Sequence, residues 1–278
     1  MRTTTIVSLA VALVTAGCKT EVREVAQFRL LNWNVTHFSG GTATVATLRP
    51  DEGEAAAAKF SSFVESVGAD VVGITEYDEN FTTNGSMKSA EAVFRGYEPA
   101  VGPASGAQCN AIFFKSGVAA KMADQTVAYA KRYEDTYYKA VKLNIRGVPV
   151  WFVQTQLDWH TYLSGHKSDR IDQMKALIEA FKDEPYVVIS GDFRVGIRIP
   201  GARCFPAPEE YRVFTDAGYE LANLHGTGTY PIESPLQPID NIIVKGLDIS
   251  EVRFLEAGRL SSHLAVSCLL TTYVPKNK

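Results

Sequence analysis

The stretch 186-YVVISGDFR-194 carries the pattern that decides the fold. A short apolar run follows Pro185, and runs of this length bounded by turn residues are typical of a buried strand. The run ends at Ser190 and Gly191, and Asp192 follows directly. Because the ends of strands are places where side chains converge on a crevice, Asp192 is a candidate for chemistry rather than for packing.

The same arrangement, a polar residue at the end or start of an apolar run, recurs along the chain. It is found in the segments LLNWN (30–34), DVVGIT (70–75), WFVQTQLD (151–158), DNIIV (240–244) and LAVSCLL (264–270). Any one of these residues alone is an ordinary turn residue. Taken together they predict a single polar crevice lined by Asn34, Glu76, Gln156, Asp158, Asp240 and His263.

The remaining patterns predict one α+β domain. Apolar periodicity and stop signals indicate helices over residues 54–67 and 209–217, and a third that is capped by Ser168, carries core residues as far as Phe181 and is ended by Pro185. Strands are predicted over residues 28–35, 71–74, 110–115, 138–145, 150–156, 186–190, 239–244 and 264–272, with Arg146 and Gly147 as a hairpin turn. The mixed order favours two sheets packed face to face with helices outside them.

The first residues resemble an export signal. A positive Arg2 and an apolar stretch over residues 6–14 precede Thr15, Ala16, Gly17 and Cys18. Small residues before a cysteine are typical of a bacterial lipoprotein signal, in which Cys18 is lipidated. We therefore expect a signal peptide over residues 1–17, a lipid-anchored tether over 18–27 and a domain over 28–278 in the cell envelope, on the periplasmic or outer-membrane side. An ordinary secretory signal with an incidental cysteine is the alternative.

Composition and charge limit the partners. The net charge is −3, and the longest basic cluster is Lys131 and Arg132. Proteins that bind nucleic acid usually carry a basic excess or stripe, because phosphate neutralisation supplies much of their affinity. The sequence therefore favours a small phosphorylated ligand or a lipid headgroup over nucleic acid, with membrane contact through the N-terminal anchor.

Three cysteines remain beyond Cys18, and their spacing matches no zinc pattern. In an oxidising compartment Cys109 and Cys204 can form a disulfide, since both lie beside the polar motifs. Three buried free thiols, at Cys109, Cys204 and Cys268, are the alternative.

The ordered set of motifs resembles the endonuclease/exonuclease/phosphatase superfamily, which includes DNase I-like nucleases, sphingomyelinases and inositol phosphatases. The resemblance runs from about residue 28 to 272 and rests on NWNV, DVVGITE, TQLD, GDF, PIDNIIV and SSHLAV in this order. Arg170, Gln173 and the segment GTYP (228–231) support it. The resemblance implies a four-layer α/β/β/α sandwich.

The resemblance also implies metal-assisted phosphoester hydrolysis. Glu76 would hold Mg²⁺ or Mn²⁺, and Asn34 would reach the same centre. Asp192 would orient or deprotonate the attacking water, and His263, held by Asp240, would be the cationic or acid–base partner of the phosphate. The substrate-binding residues would be Arg194, Gln156 and Asp158.

Three positions depart from the family pattern. Gln156 replaces a catalytic histidine, Arg194 an asparagine and Ser262 an acid. In one interpretation Arg194 binds the substrate phosphate and catalysis continues, with His160 as a partial substitute for the lost imidazole and Trp159 in contact with the ligand. In the other, Arg194 pairs with Asp192 and Glu76 in the place of the cation, and the chain is a catalytically impaired binding protein for an anionic ligand or a protein partner.

Overall fold

A computed structural model describes residues 23–39, 50–82, 85–103, 109–130, 136–158, 168–195 and 207–275. The strands are β1 (Arg23–Asn34), β2 (Val71–Thr75), β3 (Tyr97–Val101), β4 (Ala111–Lys115), β5 (Ala119–Ala128), β6 (Tyr137–Ile145), β7 (Val148–Gln156), β8 (Val187–Asp192), β9 (Glu220–Leu221), β10 (Asp240–Lys245), β11 (Asp248–Leu255) and β12 (Ala265–Pro275). The helices are α1 (Pro50–Val67), α2 (Ser89–Val93), α3 (Ser168–Ala180) and α4 (Ala207–Thr215), with 3-10 turns over Thr36–Phe38 and Gly258–Leu260.

The strands form two six-stranded mixed sheets. The first has the order β11-β12-β1-β2-β4-β3, and the second has the order β5-β6-β7-β8-β10-β9. Each sheet has one parallel pair at its centre, β1 with β2 and β7 with β8. The two sheets are placed so that the C-terminal ends of β1 and β2 meet those of β7 and β8, where Asn34 bonds Asp192 and Gln156 bonds Glu76.

Three apolar layers hold the sheets and helices together. The two faces of β1 contribute to two of these layers: Phe28 and Leu30 pack between the sheets, whereas Leu31 and Trp33 pack against α1. The third layer lies between the second sheet and the helices α3 and α4. Because the central strands are buried on both faces, they consist of continuous apolar runs. The predicted four-layer α/β/β/α sandwich is confirmed.

A buried polar bridge joins the two sheets behind the strand ends. Asn32 of β1 donates to the carbonyl of Gly191 at 3.1 Å and accepts from Nε2 of Gln154 at 2.9 Å. Ser190 in turn donates to Oε1 of Gln154 at 2.6 Å. All three side chains are buried, so these hydrogen bonds satisfy groups that would otherwise be costly to bury and fix how the sheets align.

The first strand begins earlier than its predicted start at residue 28, and the division into tether and domain stays a prediction. The first strand begins at Arg23, where it pairs with Pro275 of β12, so residues 23–27 belong to the sheet. The polar residues of this stretch do not show the apolar run of a core strand, but an antiparallel partner extends the strand beyond its buried part. Residues 1–22 lie outside the described part of the chain, so the signal peptide and the lipidation at Cys18 stay predictions.

Both described cysteines of the domain, Cys109 and Cys268, are buried and free. The alternative of buried thiols therefore holds for these two residues, and Cys204 lies outside the described residues. None of the helices in the described ranges has the length and apolar character needed to cross a bilayer.

Candidate active site

Strand register explains why residues far apart in the sequence meet. Asn34 is paired with Thr75 at the end of β2, immediately before Glu76. On the second sheet, Asp192 is paired with Gln156 on one side and with Asp240 on the other. The two sheets thus bring Asn34 and Glu76 to the same place as Gln156, Asp192 and Asp240.

Glu76 lies at the centre of the site and receives hydrogen bonds from both sheets. Its Oε1 accepts from Nδ2 of Asn34 at 3.0 Å and from Nε2 of Gln156 at 2.7 Å. Burial would raise the pKa of Glu76, but these hydrogen bonds and the positive charges of His263 and Arg194 hold it below its usual range. Glu76 is therefore an anion at neutral pH.

Asp192 stands opposite Glu76 and is fully enclosed. Its Oδ2 accepts from Asn34 at 3.3 Å and from Gln156 at 3.4 Å. Burial, followed by the negative charge of Asp240, raises the pKa of Asp192 above its usual range despite the nearby Arg194. A carboxylate in this environment is a stronger base than an exposed aspartate.

Gly191 permits the close strand pairing that places Asp192. Its φ is 155°, and a Cβ built on it would lie only 1.8 Å from the carbonyl oxygen of Thr155 on β7. Any side chain at this position would push β8 away from β7. The glycine before the acid is thus required by the backbone.

Asp240 and His263 form a buried pair. Nδ1 of His263 lies 2.9 Å from Oδ2 of Asp240, and the ring of Tyr230 packs on the imidazole at a centroid distance of 4.7 Å. Burial favours the neutral imidazole, but the Asp240 carboxylate and the charges of Asp192 and Glu76 outweigh it and raise the pKa of His263 to about 9. His263 is a cation at neutral pH, with Nε2 left for a ligand.

Backbone strain is concentrated at the site. Seven described non-glycine residues have positive φ, and five of them lie here: Thr36, His37, Phe38, Glu76 and Arg194. Each such residue costs on the order of 1–3 kcal/mol and persists only where its surroundings enforce it. This concentration supports a functional role for the crevice.

Arg194 faces the two central carboxylates. Its guanidinium lies 3.9 Å from Oε1 of Glu76 and 3.6 Å from Oδ2 of Asp192, which are ion-pair distances. The carbonyl of Arg194 accepts a hydrogen bond from Arg170, which is itself clamped by Glu210 through two further bonds. A buried ion pair beneath the site therefore fixes the loop that carries Arg194.

The structure assigns contacts to the other predicted residues as well. The hydroxyl of Ser262 lies 2.9 Å from that of Thr36. It therefore links the segment before β12, which carries His263, to the turn after β1. The backbone N–H of Asp158 donates to Gln173 of α3 at 3.0 Å, a contact that orders the end of β7. A substrate-binding role for Asp158 stays a prediction. Trp159 and His160 lie outside the described residues.

Sequence reasoning missed the turn Thr36–Phe38, which brings His37 beside Glu76. Nε2 of His37 is 3.8 Å from Oε2 of Glu76. The segment NWNVTHF contains this histidine three residues after Asn34, but its left-handed backbone is not encoded by any glycine or proline signal. The sequence therefore did not indicate that this histidine lies beside Glu76.

The donors of the site fit a divalent cation. Oε1 of Gln156 and Oδ1 of Asp240 are buried and have no hydrogen-bond partner among the described residues. Carboxylate oxygens of Asp192 and Asp240 lie within 4.8 Å of each other, whereas the protonated His263 beside them offers no lone pair to a metal. Carboxylate and amide oxygens are the ligands of hard divalent cations, and orphaned buried oxygens are costly unless something binds them.

Two six-stranded sheets between helical layers, with polar strand ends gathered at one crevice, define the DNase I-like fold of the endonuclease/exonuclease/phosphatase superfamily. This chain has that fold. No protein-family model matches the sequence, and no curated protein matches it.

Solved structures of this fold cover nearly the whole described domain. TDP2 of D. rerio, complexed with a single-strand DNA product, is 13% identical, with a TM-score of 0.66 over 88% of this chain and 98% of its own. An endonuclease/exonuclease/phosphatase family protein of Bacteroides thetaiotaomicron is 14% identical, with a TM-score of 0.65 over 90% and 96%. A mannosyl-6-phosphatase from the same organism is 14% identical, with a TM-score of 0.63 over 87% and 99%.

Proposed function

We propose that this chain is a metal-dependent phosphoesterase that hydrolyses a small phosphorylated substrate or a lipid headgroup. The observation that carries the proposal is the meeting of Glu76 and Asn34 from one sheet with Asp192 from the other, beside the Asp240–His263 pair. The carboxylate can take a proton from water and the imidazolium can donate to a phosphate oxygen, which are two functions that assist phosphoester hydrolysis.

Each group has a role that follows from its geometry. Nε2 of His263 donates to a phosphate oxygen, because Asp240 already occupies Nδ1. Asp192 accepts a proton from the attacking water, since burial makes it more basic than an ordinary carboxylate. Asn34 orients both Glu76 and Asp192.

A cation fits the charge of the site. Three carboxylates, Glu76, Asp192 and Asp240, face two cationic groups, Arg194 and His263, so the cluster carries a formal excess of one negative charge when all are ionised. A phosphate dianion would be repelled by that excess. Mg²⁺ or Mn²⁺ held by Glu76 would remove the repulsion and supply Lewis-acid polarisation of the phosphoryl group.

Charge and similarity together support the substrate class. The chain carries a net charge of −3, which disfavours a nucleic-acid backbone as the partner. One protein of the same fold is named as a mannosyl-6-phosphatase, and another, TDP2, is complexed with a single-strand DNA product. We place sugar phosphates and lipid headgroups first among the substrates to be tested.

A second function is favoured by one observation. Arg194 lies at ion-pair distance from both Glu76 and Asp192, and Gln156 hydrogen-bonds both where the family has a histidine. A guanidinium in this position supplies the positive charge that a metal cation would otherwise bring to these carboxylates. In this alternative the chain binds an anionic ligand or a protein partner without turnover.

Hydrolysis assays separate the two functions. Phosphomonoesters and phosphodiesters, including sugar phosphates and phospholipid headgroups, are incubated with the protein and Mg²⁺ or Mn²⁺. We expect phosphate release that falls at least about 100-fold in Glu76→Gln and in His263→Gln, because each removes a charged group of the site. Glu79→Gln, three residues from Glu76 at an exposed position, is the matched control. Ligand binding without turnover across the panel would support the binding protein instead.

We propose further that Cys18 anchors the domain to an envelope membrane. The support is the segment before Cys18, in which small residues follow an apolar stretch. Expression in a bacterial host followed by membrane fractionation tests this directly. We expect the wild-type chain in the membrane fraction and Cys18→Ala in the soluble fraction, whereas equal distribution of the two would contradict the anchor.

A further inference from the structure

His37 is a titratable side chain beside Glu76 that the proposed reaction does not use. Its Nε2 lies 3.8 Å from Oε2 of Glu76, and its side chain is only 13% exposed. The hydrogen bonds from Asn34 and Gln156 both go to the other oxygen, Oε1. His37 therefore faces the carboxylate oxygen that these two amides leave available.

The turn that carries His37 is held from several directions. The backbone N–H of His37 donates to the carbonyl of Glu76 at 3.0 Å, and the N–H of Thr36 donates to Oδ1 of Asn34 at 2.9 Å. The hydroxyl of Thr36 also bonds those of Ser261 and Ser262. These contacts keep the imidazole close to Glu76 although the backbone is strained.

Aromatic packing holds the turn in place on its apolar side. Phe38 is buried, and its ring packs against Phe60, Tyr77 and Phe81 at centroid distances of 5.1, 5.9 and 5.2 Å. Three consecutive residues of the turn have φ values of 47°, 54° and 57°. The packing of Phe38 offsets part of the cost of this conformation and makes the position of His37 a fixed feature of the fold.

We infer that His37 is a further ligand of the cation held by Glu76, so that the site takes a first-row transition ion in preference to Mg²⁺. This inference rests on the proposed function. Two atoms that each lie about 2.1 Å from one ion are at most about 4.2 Å apart, and the 3.8 Å between His37 and Glu76 falls within that limit.

The chemistry of imidazole gives the direction of the preference. Mg²⁺ takes oxygen ligands and dehydrates reluctantly, whereas imidazole suits transition ions such as Fe²⁺, Ni²⁺ and Zn²⁺. Mn²⁺ also accepts the carboxylate oxygens that Mg²⁺ takes, so it can probe a site that offers both kinds of ligand. A neutral imidazole also adds a ligand without adding charge. That suits a crevice in which Arg194 already contributes a positive charge 3.9 Å from Oε1 of Glu76.

The test uses Mn²⁺, whose electron spin detects nitrogen ligands directly. Mn²⁺ and Mg²⁺ affinities are measured by calorimetry, and pulsed electron paramagnetic resonance detects ¹⁴N coupling to bound Mn²⁺. The test variant is His37→Asn, because asparagine adopts left-handed backbone readily and the turn should be retained. His225→Asn, at an exposed histidine, is the matched control, and His263→Gln separates the two histidines of the site.

We expect ¹⁴N coupling in the wild-type protein, in His225→Asn and in His263→Gln, and its loss in His37→Asn. Mn²⁺ binding should weaken at least about 10-fold in His37→Asn, and Mg²⁺ binding should change less. Mn²⁺ binding that is lost in Glu76→Gln but shows no coupling to His37 would overturn this inference and leave the proposed function intact. A wild-type protein that binds Mg²⁺ but no Mn²⁺ would overturn this inference alone, and one that binds neither ion would overturn both.

Discussion

Nδ1 of His263 and Oδ2 of Asp240 lie 2.9 Å apart although the two residues come from different sheets. The contact ties the start of β12 to the start of β10 and orients the imidazole. It also makes His263 a cation, because the carboxylate raises the pKa of His263 to about 9 in spite of burial. The properties of the site therefore depend on how the two sheets are aligned.

Removing the Asp240 charge should lower the pKa of His263. Burial lowers the pKa of His263, and in the variant Asp240→Asn the nearest carboxylate no longer offsets this effect. We therefore expect the titration midpoint of His263 to fall from about 9 toward the ordinary value of 6.5. Nuclear magnetic resonance of the imidazole Cε1–H measures this directly. Asp248→Asn, at an exposed aspartate, is the control and should leave the midpoint unchanged.

The same pair predicts how stability depends on pH. The pKa of His263 is higher in the folded chain than in the unfolded one, so its contribution is fully present below pH 6.5 and is lost as pH rises through about 9. The shift corresponds to about 3 kcal/mol. Urea unfolding at pH 6 and pH 10 should show a loss of about this size in the wild-type protein relative to His263→Gln. Equal losses in the two proteins would contradict the role of the imidazolium.

Gly191→Ala should destabilise the domain far more than an ordinary glycine substitution. The added Cβ would meet the carbonyl oxygen of Thr155 at 1.8 Å, so β7 and β8 must separate. We expect a loss of at least about 3 kcal/mol in the free energy of unfolding. Gly218→Ala is the control, since φ is also positive there but nothing lies within 4 Å, and it should cost about 1 kcal/mol. Similar losses at both positions would contradict the close strand contact.

Removing one partner of the buried ion pair between Arg170 and Glu210 should lower the free energy of unfolding. Arg170 and Glu210 are each about 1% exposed and share two hydrogen bonds of 2.9 and 3.1 Å. Arg170→Met leaves a buried charge and should lower the free energy of unfolding by about 3–5 kcal/mol. The double variant with Glu210→Leu should recover much of that loss. A double variant as unstable as the single one would mean that Arg170 acts mainly through the carbonyl of Arg194.

The buried half of the fold was predictable because its strands are short, continuous apolar runs. The observed β2, β4, β6, β7, β8 and β10 lie within two residues of their predicted bounds, and the turn at Arg146 and Gly147 joins β6 to β7 as expected. The exposed strands were missed. β5 and β11 are largely exposed and carry mixed polar residues, so backbone pairing alone makes them strands.

The candidate site was predictable for a different reason. Its carboxylates and His263 lie at the ends of recognisable strands, so their convergence follows once the sheets are assembled. His37 is positioned instead by a left-handed turn, and the bridge of Asn32 and Gln154 by alignment of the sheets. Neither of these tertiary relationships leaves a local pattern in the sequence.

The rate of phosphate release, measured as Mn²⁺ is returned to chelator-treated protein, tests the central claim most directly. With the best substrate of the panel, we expect a saturable increase of at least about 100-fold in the wild-type protein and none in Glu76→Gln. Turnover that is the same with and without the cation, and the same in Glu76→Gln as in wild type, would contradict the assignment of this crevice as a metal-dependent phosphoesterase site.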